Sequence, residues 1–213
     1  MAYFFPEGSS QQFANTFAAA KNITALTNAN PAVATSVAHG YTTGDEILLT
    51  SGWEDATQSV YKITVLTADT FSILGLDTTN TSFYPAGTGT GTAQKISGWT
   101  AIPQVLSISA SGGDARFTDV SPLNKRNSIK IPTGFNATAI TLSLAHDAAN
   151  ANYITMLGIS RNLSTVAFKQ VISGGAVTYG YGYMSVSEMP KLNNNQVNTV
   201  DCAVTILGRS ISY

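Results

Sequence analysis

Apolar and polar residues alternate with a period of two along most of this chain. Residues 61–65 read Tyr-Lys-Ile-Thr-Val, so every second side chain is apolar. This period is typical of a β-strand with one buried face, because successive side chains of a strand point to opposite faces of the sheet. Residues 67–69, Thr-Ala-Asp, predict a turn into a second strand at residues 70–73, and the two strands would make a hairpin.

The same alternation recurs in six more segments, which clusters of Gly, Asn, Pro and Ser separate from one another. These segments are residues 104–109, 128–131, 139–144, 165–173, 177–186 and 199–207. Many short alternating segments with turn signals between them are typical of a β-sandwich or a β-barrel. We therefore expect a fold that is mainly β.

One segment, residues 147–159, has the periodicity of a helix instead. Asp147 supplies a side-chain oxygen that can cap the first free amides of a helix. Gly158 suits the end of a helix. The apolar residues between them follow a 3.6-residue spacing and comprise Ala148, Ala151, Ile154 (or Tyr153) and Leu157. The pattern predicts one helix whose apolar face covers a sheet.

The charge of the chain is almost balanced, with 11 Lys and Arg against 12 Asp and Glu. A nucleic-acid-binding surface usually gives a chain a basic excess, which is missing from this sequence. The single cysteine, Cys202, cannot form a disulfide within the chain, and its alternation with apolar residues predicts a buried thiol. No segment has 18 consecutive apolar residues and the first ten residues lack a basic start, so we expect a soluble protein, folded in a cytoplasm, without membrane insertion.

Charge is distributed unevenly along the chain. Residues 23–97 hold six acidic and two basic residues, whereas the rest of the chain holds six acidic and nine basic residues. The acidic segment ends in a Gly and Thr run, PAGTGTGTAQ, which is typical of a turn or a linker. We predict two modules, with the acidic module of residues 23–97 inserted into a second module made of residues 1–22 and 98–213.

Residues 38–49, Ala-His-Gly-Tyr-Thr-Thr-Gly-Asp-Glu-Ile-Leu-Leu, place His39 close to a pair of carboxylates. A metal site needs three or four converging ligands, and no further His or Cys lies nearby in the sequence. Asp45 and Glu46 are adjacent on an extended strand, so we expect them to point to opposite faces. The two glycines of the segment can adopt positive φ values, which favours a turn that leads into a strand.

Two other motifs have the residue types of a reactive site. His146 and Asp147 lie near Ser143 and Ser160, but the Gly-x-Ser-x-Gly signature is missing, and a helix N-cap with a flanking histidine is the favoured interpretation. The alternating Gly and Thr of residues 87–91 lack the Lys of a phosphate-binding loop. We therefore assign no catalytic residue, no metal ligand and no cofactor, and we do not expect an enzyme.

The acidic segment resembles a small β module of phage virion proteins that is named after the first catalytic-cysteine half-domain of ubiquitin-activating enzymes. The matching stretches are NITALTNANPAVATSVAHGYTTGDEILLTSGW, VYKITVLTADTFSILGLDTT and YPAGTGTG. The resemblance implies a small β-barrel with an Asn-Pro turn and a His-Gly-aromatic turn. Ubiquitin chemistry does not follow from it, because Cys202 lies outside the module.

The rest of the chain resembles the major tail tube protein of long, non-contractile-tailed bacteriophages. The similarity covers an N-terminal strand at residues 13–20, then WTAIPQVLSISASGGDARFTDVSPLNKRNSIKIPTGF, TAITLSLA, the helix and VDCAVTILGRSISY. It implies an all-β fold with one helix, in which a tail-tube β-sandwich contributes to a hexameric inner β-barrel. An inserted small β-barrel domain on the outside of the tube is a known variation of this family.

The resemblance also implies a function and partners. Six copies would form a ring, and stacked rings would form the tube that conducts DNA into the host. Double-stranded DNA would pass through the lumen without specific binding. The tape measure protein and the tail terminator and tip proteins would be the other partners. The chain would be part of the virion tail and would be assembled in the bacterial cytoplasm.

Three groups of residues are candidates for roles in such an assembly. The polar loop of residues 111–134 corresponds to the family's loop that reaches the neighbouring subunit and the next ring, and its charged residues are Asp114, Arg116, Asp119, Lys125, Arg126 and Lys130. The second group, Tyr179, Tyr181 and Tyr183, shares one face of a strand and suits either packing against the helix or contact with another subunit. Glu188 and Asp201 are candidate lumen acids, because a DNA conduit should repel phosphate.

A second hypothesis is a tail fibre or decoration protein whose β module binds a carbohydrate or a host surface. Such modules usually expose clusters of aromatic residues on loops. Trp53 and Trp99 are instead single residues at the predicted junctions between modules. Electron microscopy separates the two hypotheses, since a tube protein gives hollow filaments and a fibre protein gives discrete trimers.

Overall fold

A computed structural model describes residues 7–124 and 126–213. In these residues it has seventeen strands and one helix. The first nine strands are β1 (Ser10–Ala14), β2 (Lys21–Ile23), β3 (Ala25–Leu26), β4 (Ala32–Thr35), β5 (Glu46–Ser51), β6 (Ser59–Thr67), β7 (Thr70–Ile73), β8 (Gly91–Lys95) and β9 (Thr100–Ala101). The others are β10 (Val105–Ser111), β11 (Ala115–Val120), β12 (Ile129–Phe135), β13 (Ala139–Ala145), helix α1 (Ala151–Arg161), β14 (Thr165–Val171), β15 (Val177–Val186), β16 (Thr199–Ile206) and β17 (Ile211–Ser212).

The prediction of an all-β fold with one helix is confirmed. The alternation reflects burial on one face: along β16, Val200, Cys202 and Val204 are buried, and the residues between them are partly exposed. The hairpin at residues 61–73 is also confirmed, since β6 and β7 pair Ile63 with Ile73. Each of the other six predicted strands overlaps an observed one. The N-terminal strand lies earlier than expected, at Ser10–Ala14 rather than residues 13–20.

The helix begins later than predicted, because Asn150 and not Asp147 caps it. The Asn150 side-chain oxygen accepts hydrogen bonds from the backbone amides of Asn152 and Tyr153. The Asp147 carboxylate accepts from the amide of Ala149 and closes the preceding turn. Gly158 lies inside the helix, which ends at Arg161. The helix buries Tyr153, Met156 and Ile159, so of the two alternatives at this turn Tyr153 faces the core and Ile154 is exposed.

The larger sheet has the strand order β10-β13-β16-β15-β14-β1-β9, with β17 beside β15. All the neighbouring pairs in this order are antiparallel. The sheet curls into a nearly closed barrel-like form, consistent with a tail tube β-sandwich, and its two terminal strands, β10 and β9, line one groove. Inside the curl and beneath α1 lies a core that includes Phe13, Leu142, Met156, Phe168 and Val200.

A second sheet has the order β2-β8-β5-β6-β7-β4-β3 and its own core. Trp53 is buried there, and its indole nitrogen donates hydrogen bonds to the carbonyl oxygen of Pro85 at 2.9 Å and to the hydroxyl of Thr88 at 3.0 Å. The strands of this sheet lie between Lys21 and Lys95. The boundaries of the inserted module, residues 23–97, stay a prediction.

Cys202 lies in the core of the larger sheet and has no exposed surface. Burial raises the pKa of its thiol to about 12. Because the thiolate is the reactive form, we expect no reaction with a water-soluble thiol reagent at pH 8 in the folded state. One thiol per chain should react in denaturant, which is measured by absorbance, and rapid labelling without denaturant would contradict this burial.

Candidate functional surfaces

His39 lies in the core of the smaller sheet and is 3% exposed. Its Nδ1 accepts a hydrogen bond from the backbone amide of Tyr41 at 2.9 Å, so the ring proton lies on Nε2, which is 3.1 Å from the carbonyl oxygen of Thr67. The imidazole also stacks on Tyr41 and meets the edge of Phe71. Both ring nitrogens are engaged in holding a turn. Among the described residues, no three His, Cys, Asp or Glu side chains are grouped closely enough to hold a metal ion.

Asp45 completes the same turn. Its carboxylate is 2.7 Å from the Lys95 ammonium and accepts hydrogen bonds from the amide and the hydroxyl of Thr42. Partial burial alone would raise the pKa of Asp45, but the hydrogen bonds from Lys95 and Thr42 hold that pKa below its usual value. The carboxylate therefore stabilises the turn and the adjacent strand β8.

Glu46, the next residue, connects the two sheets. One carboxylate oxygen accepts hydrogen bonds from the Lys169 ammonium at 2.8 Å and from the Tyr179 hydroxyl at 2.5 Å. The other oxygen accepts from the indole nitrogen of Trp99. Only 12% of the Glu46 side chain and 18% of the Lys169 side chain are exposed. A carboxylate of the smaller sheet is thus surrounded by three donors from outside that sheet.

Apolar packing surrounds this cluster and makes a third core, which we call the joint. The buried members of the joint are Ala14, Leu48, Val60, Ile96, Ala167 and Tyr179. The C-terminus strengthens the joint, because the Tyr213 hydroxyl accepts a hydrogen bond from the amide of Lys62 and donates one to the carbonyl of Leu74. The two sheets are therefore packed against each other through buried groups.

The three tyrosines of β15 share one face, but that face does not meet the helix. Tyr179 is 1% exposed in the joint, and Tyr181 packs on Phe17. Packing against the helix is therefore wrong for this ladder, because α1 lies on the opposite face of β15, where Met184 is buried. Burial also removes Tyr179 from the surface that a neighbouring subunit can touch. Of the three tyrosines, Tyr183 has the most exposed side chain, at 47%, and is therefore the best placed for such a contact.

The expected polar loop of residues 111–134 is a β-hairpin instead, made by β11 and β12. Val120 pairs with Ile129, Asp119 with Lys130 and Arg116 with Gly134. Asp119 and Lys130 are 4.0 Å apart and both exposed. Asp114 and Arg126 lie outside the two strands, and Lys125 lies outside the described residues. The charges concealed the strand pattern, because they interrupt its apolar residues.

The hairpin is unusually apolar for an exposed element. It forms a separate two-stranded sheet that pairs with no other strand of the described chain. Residues opposite each other in an antiparallel pair share a face, which places Val120, Ile129 and Ile131 together. These three side chains are 39–47% exposed, and Phe117 on the other face is 57% exposed. Clustered exposed apolar residues commonly mark a surface that contacts another protein.

The two candidate lumen acids have different ion-pair partners. Asp201 is on β16, where Lys191 lies 2.5 Å from its carboxylate. Glu188 follows β15 and pairs with Arg161 at the end of α1, 2.7 Å away. The Arg161 guanidinium lowers the pKa of Glu188. The two acids are thus engaged in separate ion pairs, and Glu188 is paired with the last residue of the helix.

One face of four adjacent strands is covered mainly by Ser, Thr and Ala side chains, together with Asp201 and Tyr183. The strand register forms three rows across this face, in which residues side by side are paired neighbours. The rows are Ser107-Ser143-Asp201, Ser109-Thr141-Ala203-Ser185 and Ser111-Ala139-Thr205-Tyr183. We call this surface the hydroxyl face. Its opposite side carries core residues such as Leu142 and Val204, and the serines of β10 are exposed.

The sequence pattern did not lead us to predict the hydroxyl face. The serines at every second position of residues 107–111 were a signal, but the register that aligns them with β13 and β16 comes only from the fold. The face carries one carboxylate, Asp201, and that charge is paired. It is therefore a polar and almost uncharged surface.

Comparisons with known proteins agree with this geometry. A family model described as phage tail tube protein, TTP, matches residues 51–213, which is more than half of the chain. The match begins in the smaller sheet, at the end of β5, and includes the hairpin, the helix and the hydroxyl face. No curated protein matches the chain.

Proposed function

Because the chain belongs to the phage tail tube protein family, we propose that it assembles into stacked hexameric rings whose lumen conducts DNA into the host. Family membership makes the chain a structural protein of the virion tail, which forms a tube with other tail proteins. The six subunits of each ring, the passage of DNA through the lumen and assembly in the host cytoplasm are parts of this proposal. The tape measure protein and the tail terminator and tip proteins are its proposed partners.

The hydroxyl face is the observation that carries this proposal. Protein surfaces that hold DNA use Lys and Arg to neutralise phosphates, and binding strengthens with each such contact. A conduit needs the opposite property, because tightly bound DNA would not move. A wall of Ser, Thr and Ala, with Asp201 paired to Lys191, offers no free cation to the phosphates. We therefore assign the hydroxyl face to the lumen and place Glu188, which pairs with the helix, outside the lumen.

Free strand edges supply the lateral contacts of the proposed ring. In the described sheet β10 pairs with β13 on one side only, so its other edge presents unpaired backbone groups. Pairing of that edge with a neighbouring subunit would continue the hydroxyl face from one copy to the next. Six copies would then enclose a common inner barrel with uninterrupted walls. Tyr183 lies on the same face and is available for such a contact.

The hairpin of β11 and β12 is the proposed contact between rings. Its exposed apolar residues gain a buried environment when another subunit covers them, which provides a driving force for stacking. Charged residues around them would form ion pairs between one ring and the next and would fix how the two rings align. These residues are Asp114, Arg116, Asp119, Lys125, Arg126 and Lys130.

The smaller sheet is the proposed outer module. The chain enters and leaves it side by side, since Phe17 and Ile96 form an antiparallel bridge and the amide of Ser97 donates to the carbonyl of Thr16. Adjacent entry and exit points are what an insertion into an existing fold requires. The joint then holds this module against β14 and β15, on the side of the sheet opposite α1. The hydroxyl face is on that same side of the sheet but extends from β10 to the end of β15, so in the proposed tube the curl of the sheet turns the two surfaces in different directions.

We expect tubes to form after residues 23–97 are replaced by a short Gly-Ser linker. Removal of the module uncovers Tyr179 and leaves Lys169 without Glu46, so the deletion is combined with Tyr179→Ser to keep the exposed face polar. The measurement is tube length and diameter by negative-stain electron microscopy, with Tyr179→Ser in the full chain as the control. A deletion variant that folds, as judged by circular dichroism, yet forms no polymer would contradict the outer placement.

The fibre or decoration hypothesis finds less support. Trp53 is buried in the smaller sheet and Trp99 donates to Glu46, so neither indole is free to stack on a sugar. Negative-stain electron microscopy of the purified chain tests the proposed function directly. Hollow filaments with a regular repeat are expected, and discrete trimers without filaments would overturn it.

A further inference from the structure

The loop that joins β15 to β16, residues 187–198, exposes three large apolar side chains. Met189, Leu192 and Val197 are 63–78% exposed. Exposed apolar residues that occur together commonly mark a surface that contacts another protein. The chain thus has a second exposed apolar surface besides the hairpin of β11 and β12.

The β15–β16 loop is held in shape by bonds within the subunit. The amide of Lys191 donates to the carbonyl oxygen of Thr199 at 2.7 Å, and the amide of Thr199 donates back to Lys191 at 3.2 Å. The two charged side chains of the loop are also paired, since Lys191 binds Asp201 and Glu188 binds Arg161. A partner that covers the apolar side chains would therefore bury no free charge of this loop.

The β15–β16 loop and the hairpin lie at opposite ends of the same strands. Thr199 begins β16 directly after the loop, whereas Thr205, near the end of β16, pairs with Ala139, the first residue of β13 after the hairpin. At roughly 3.3 Å per residue, the two ends of β16 are about 20 Å apart along the strand. The hairpin continues beyond the second end, because the amide of Gly113 donates to the carbonyl oxygen of Asn136 there.

In the proposed tube these two ends would face different rings. Antiparallel strands pair at right angles to their length, so lateral pairing through the edge of β10 would point the strands from one side of a ring to the other. One strand end would then face the ring above and the other end the ring below. A stack that grows without limit joins two different surfaces, since a surface that contacts its own copy closes after one pair.

We propose that the hairpin of each subunit docks on the β15–β16 loop of a subunit in the next ring. The exposed hairpin residues Val120, Ile129 and Ile131 cover the apolar side chains of that loop. Met189 suits such a contact, because its unbranched side chain adapts to the shape of a partner. The inference rests on the proposed tube and deepens it, since it identifies the surface that receives the hairpin.

Cross-linking in assembled tubes tests this contact. The double variants Val120→Cys with Leu192→Cys and Ile131→Cys with Met189→Cys are treated with a short bismaleimide and separated on a denaturing gel. We expect at least one of them to give a ladder that extends beyond six linked chains, because each subunit would be joined to the ring above and to the ring below. Native Cys202 has no exposed surface and does not take part.

The controls separate this contact from other arrangements. Val120→Cys with Val37→Cys should stay unlinked, because Val37 is exposed on the proposed outer module. Val120→Cys alone should stay unlinked as well, and a linked dimer of this variant would show that hairpins contact one another, which overturns the proposal. A ladder that ends at six chains would place the contact within one ring and would also overturn it.

Met189→Asp with Leu192→Asp provides a second test. Both side chains are exposed in the subunit, so we expect normal folding by circular dichroism but a fall in tube yield of roughly 100-fold or more by sedimentation. Normal tube yield from this variant, or native-like tubes of the double cysteine variants that do not cross-link, would overturn the proposed contact alone. A parent chain that forms no tubes would instead overturn the proposed function, so the two failures are distinguishable.

Discussion

Replacing Glu46 with Ala is expected to lower the free energy of unfolding by about 3–5 kcal/mol, the usual cost of removing one partner of a buried ion pair. The substitution leaves the Lys169 ammonium largely buried without a counter-charge. It also leaves the Tyr179 hydroxyl and the Trp99 indole nitrogen without their acceptor. In the native chain burial, and then the neighbouring Glu46, raise the pKa of Tyr179, so the tyrosine is neutral and contributes no charge to the cluster. Urea denaturation of the unpolymerised chain measures the effect.

The pair of Glu188 and Arg161 provides a matched control for that experiment. Both side chains are more than half exposed, and exposed ion pairs contribute little to stability because water screens them. We therefore expect no measurable change in the urea midpoint for Glu188→Ala. Glu46→Gln should be intermediate, since its one amide oxygen can still accept from Lys169 and Tyr179, whereas its NH2 group cannot accept from Trp99 and the charge is lost. Equal midpoints for Glu46→Ala and the native chain would show that the cluster does not hold the two sheets together.

Replacing Val120 and Ile131 together with Asp is expected to prevent tube formation without unfolding the subunit. Both residues lie on one exposed face of the hairpin, so carboxylates are tolerated there in the free chain. In stacked rings the same carboxylates would be buried, and burial of an unpaired charge costs several kcal/mol in real proteins. Each 1.4 kcal/mol is a tenfold change in an association constant, so we expect tube yield to fall by roughly 100-fold or more.

Sedimentation and electron microscopy measure this effect, with circular dichroism as the check on folding. Val37→Asp is the control, because Val37 is an exposed apolar residue of the proposed outer module. It should leave tube yield unchanged. Arg116→Glu with Arg126→Glu tests the charges of the same hairpin separately from its apolar face. Tubes of normal yield and length after Val120→Asp with Ile131→Asp would remove the hairpin from the contact between rings.

Local patterns predicted the strands well, because each strand has one buried face and the alternation is read within a few residues. The helix was displaced by four residues at its start for an equally local reason. Both Asp147 and Asn150 can accept hydrogen bonds from following amides, and in the structure Asp147 closes a turn while Asn150 caps the helix. In the hairpin of β11 and β12 only part of the second strand was predicted, at residues 128–131, and the first strand was taken for part of a loop, since its charges and the glycines at its base interrupt the apolar pattern.

The functional surfaces depend on contacts that are distant in sequence. Glu46 was grouped with Asp45 as an adjacent carboxylate pair, whereas its partners Lys169 and Tyr179 lie 123 and 133 residues away. The hydroxyl face joins β10, β13, β16 and β15, which only the order of strands in the sheet brings together. The same holds for Tyr179. Its spacing predicts that it shares a face with Tyr181 and Tyr183, but the sequence does not show that the smaller sheet covers part of this face.

Helical reconstruction of tubes assembled from the purified chain tests the central proposal most directly. We expect a hexameric ring repeat in which Ser109, Thr141 and Ala203 line the lumen, the hairpin contacts the next ring, and the smaller sheet lies on the outer surface. A reconstruction that places the hydroxyl face on the outside of the tube, or buries it between subunits, would contradict the assignment of this face to the DNA conduit.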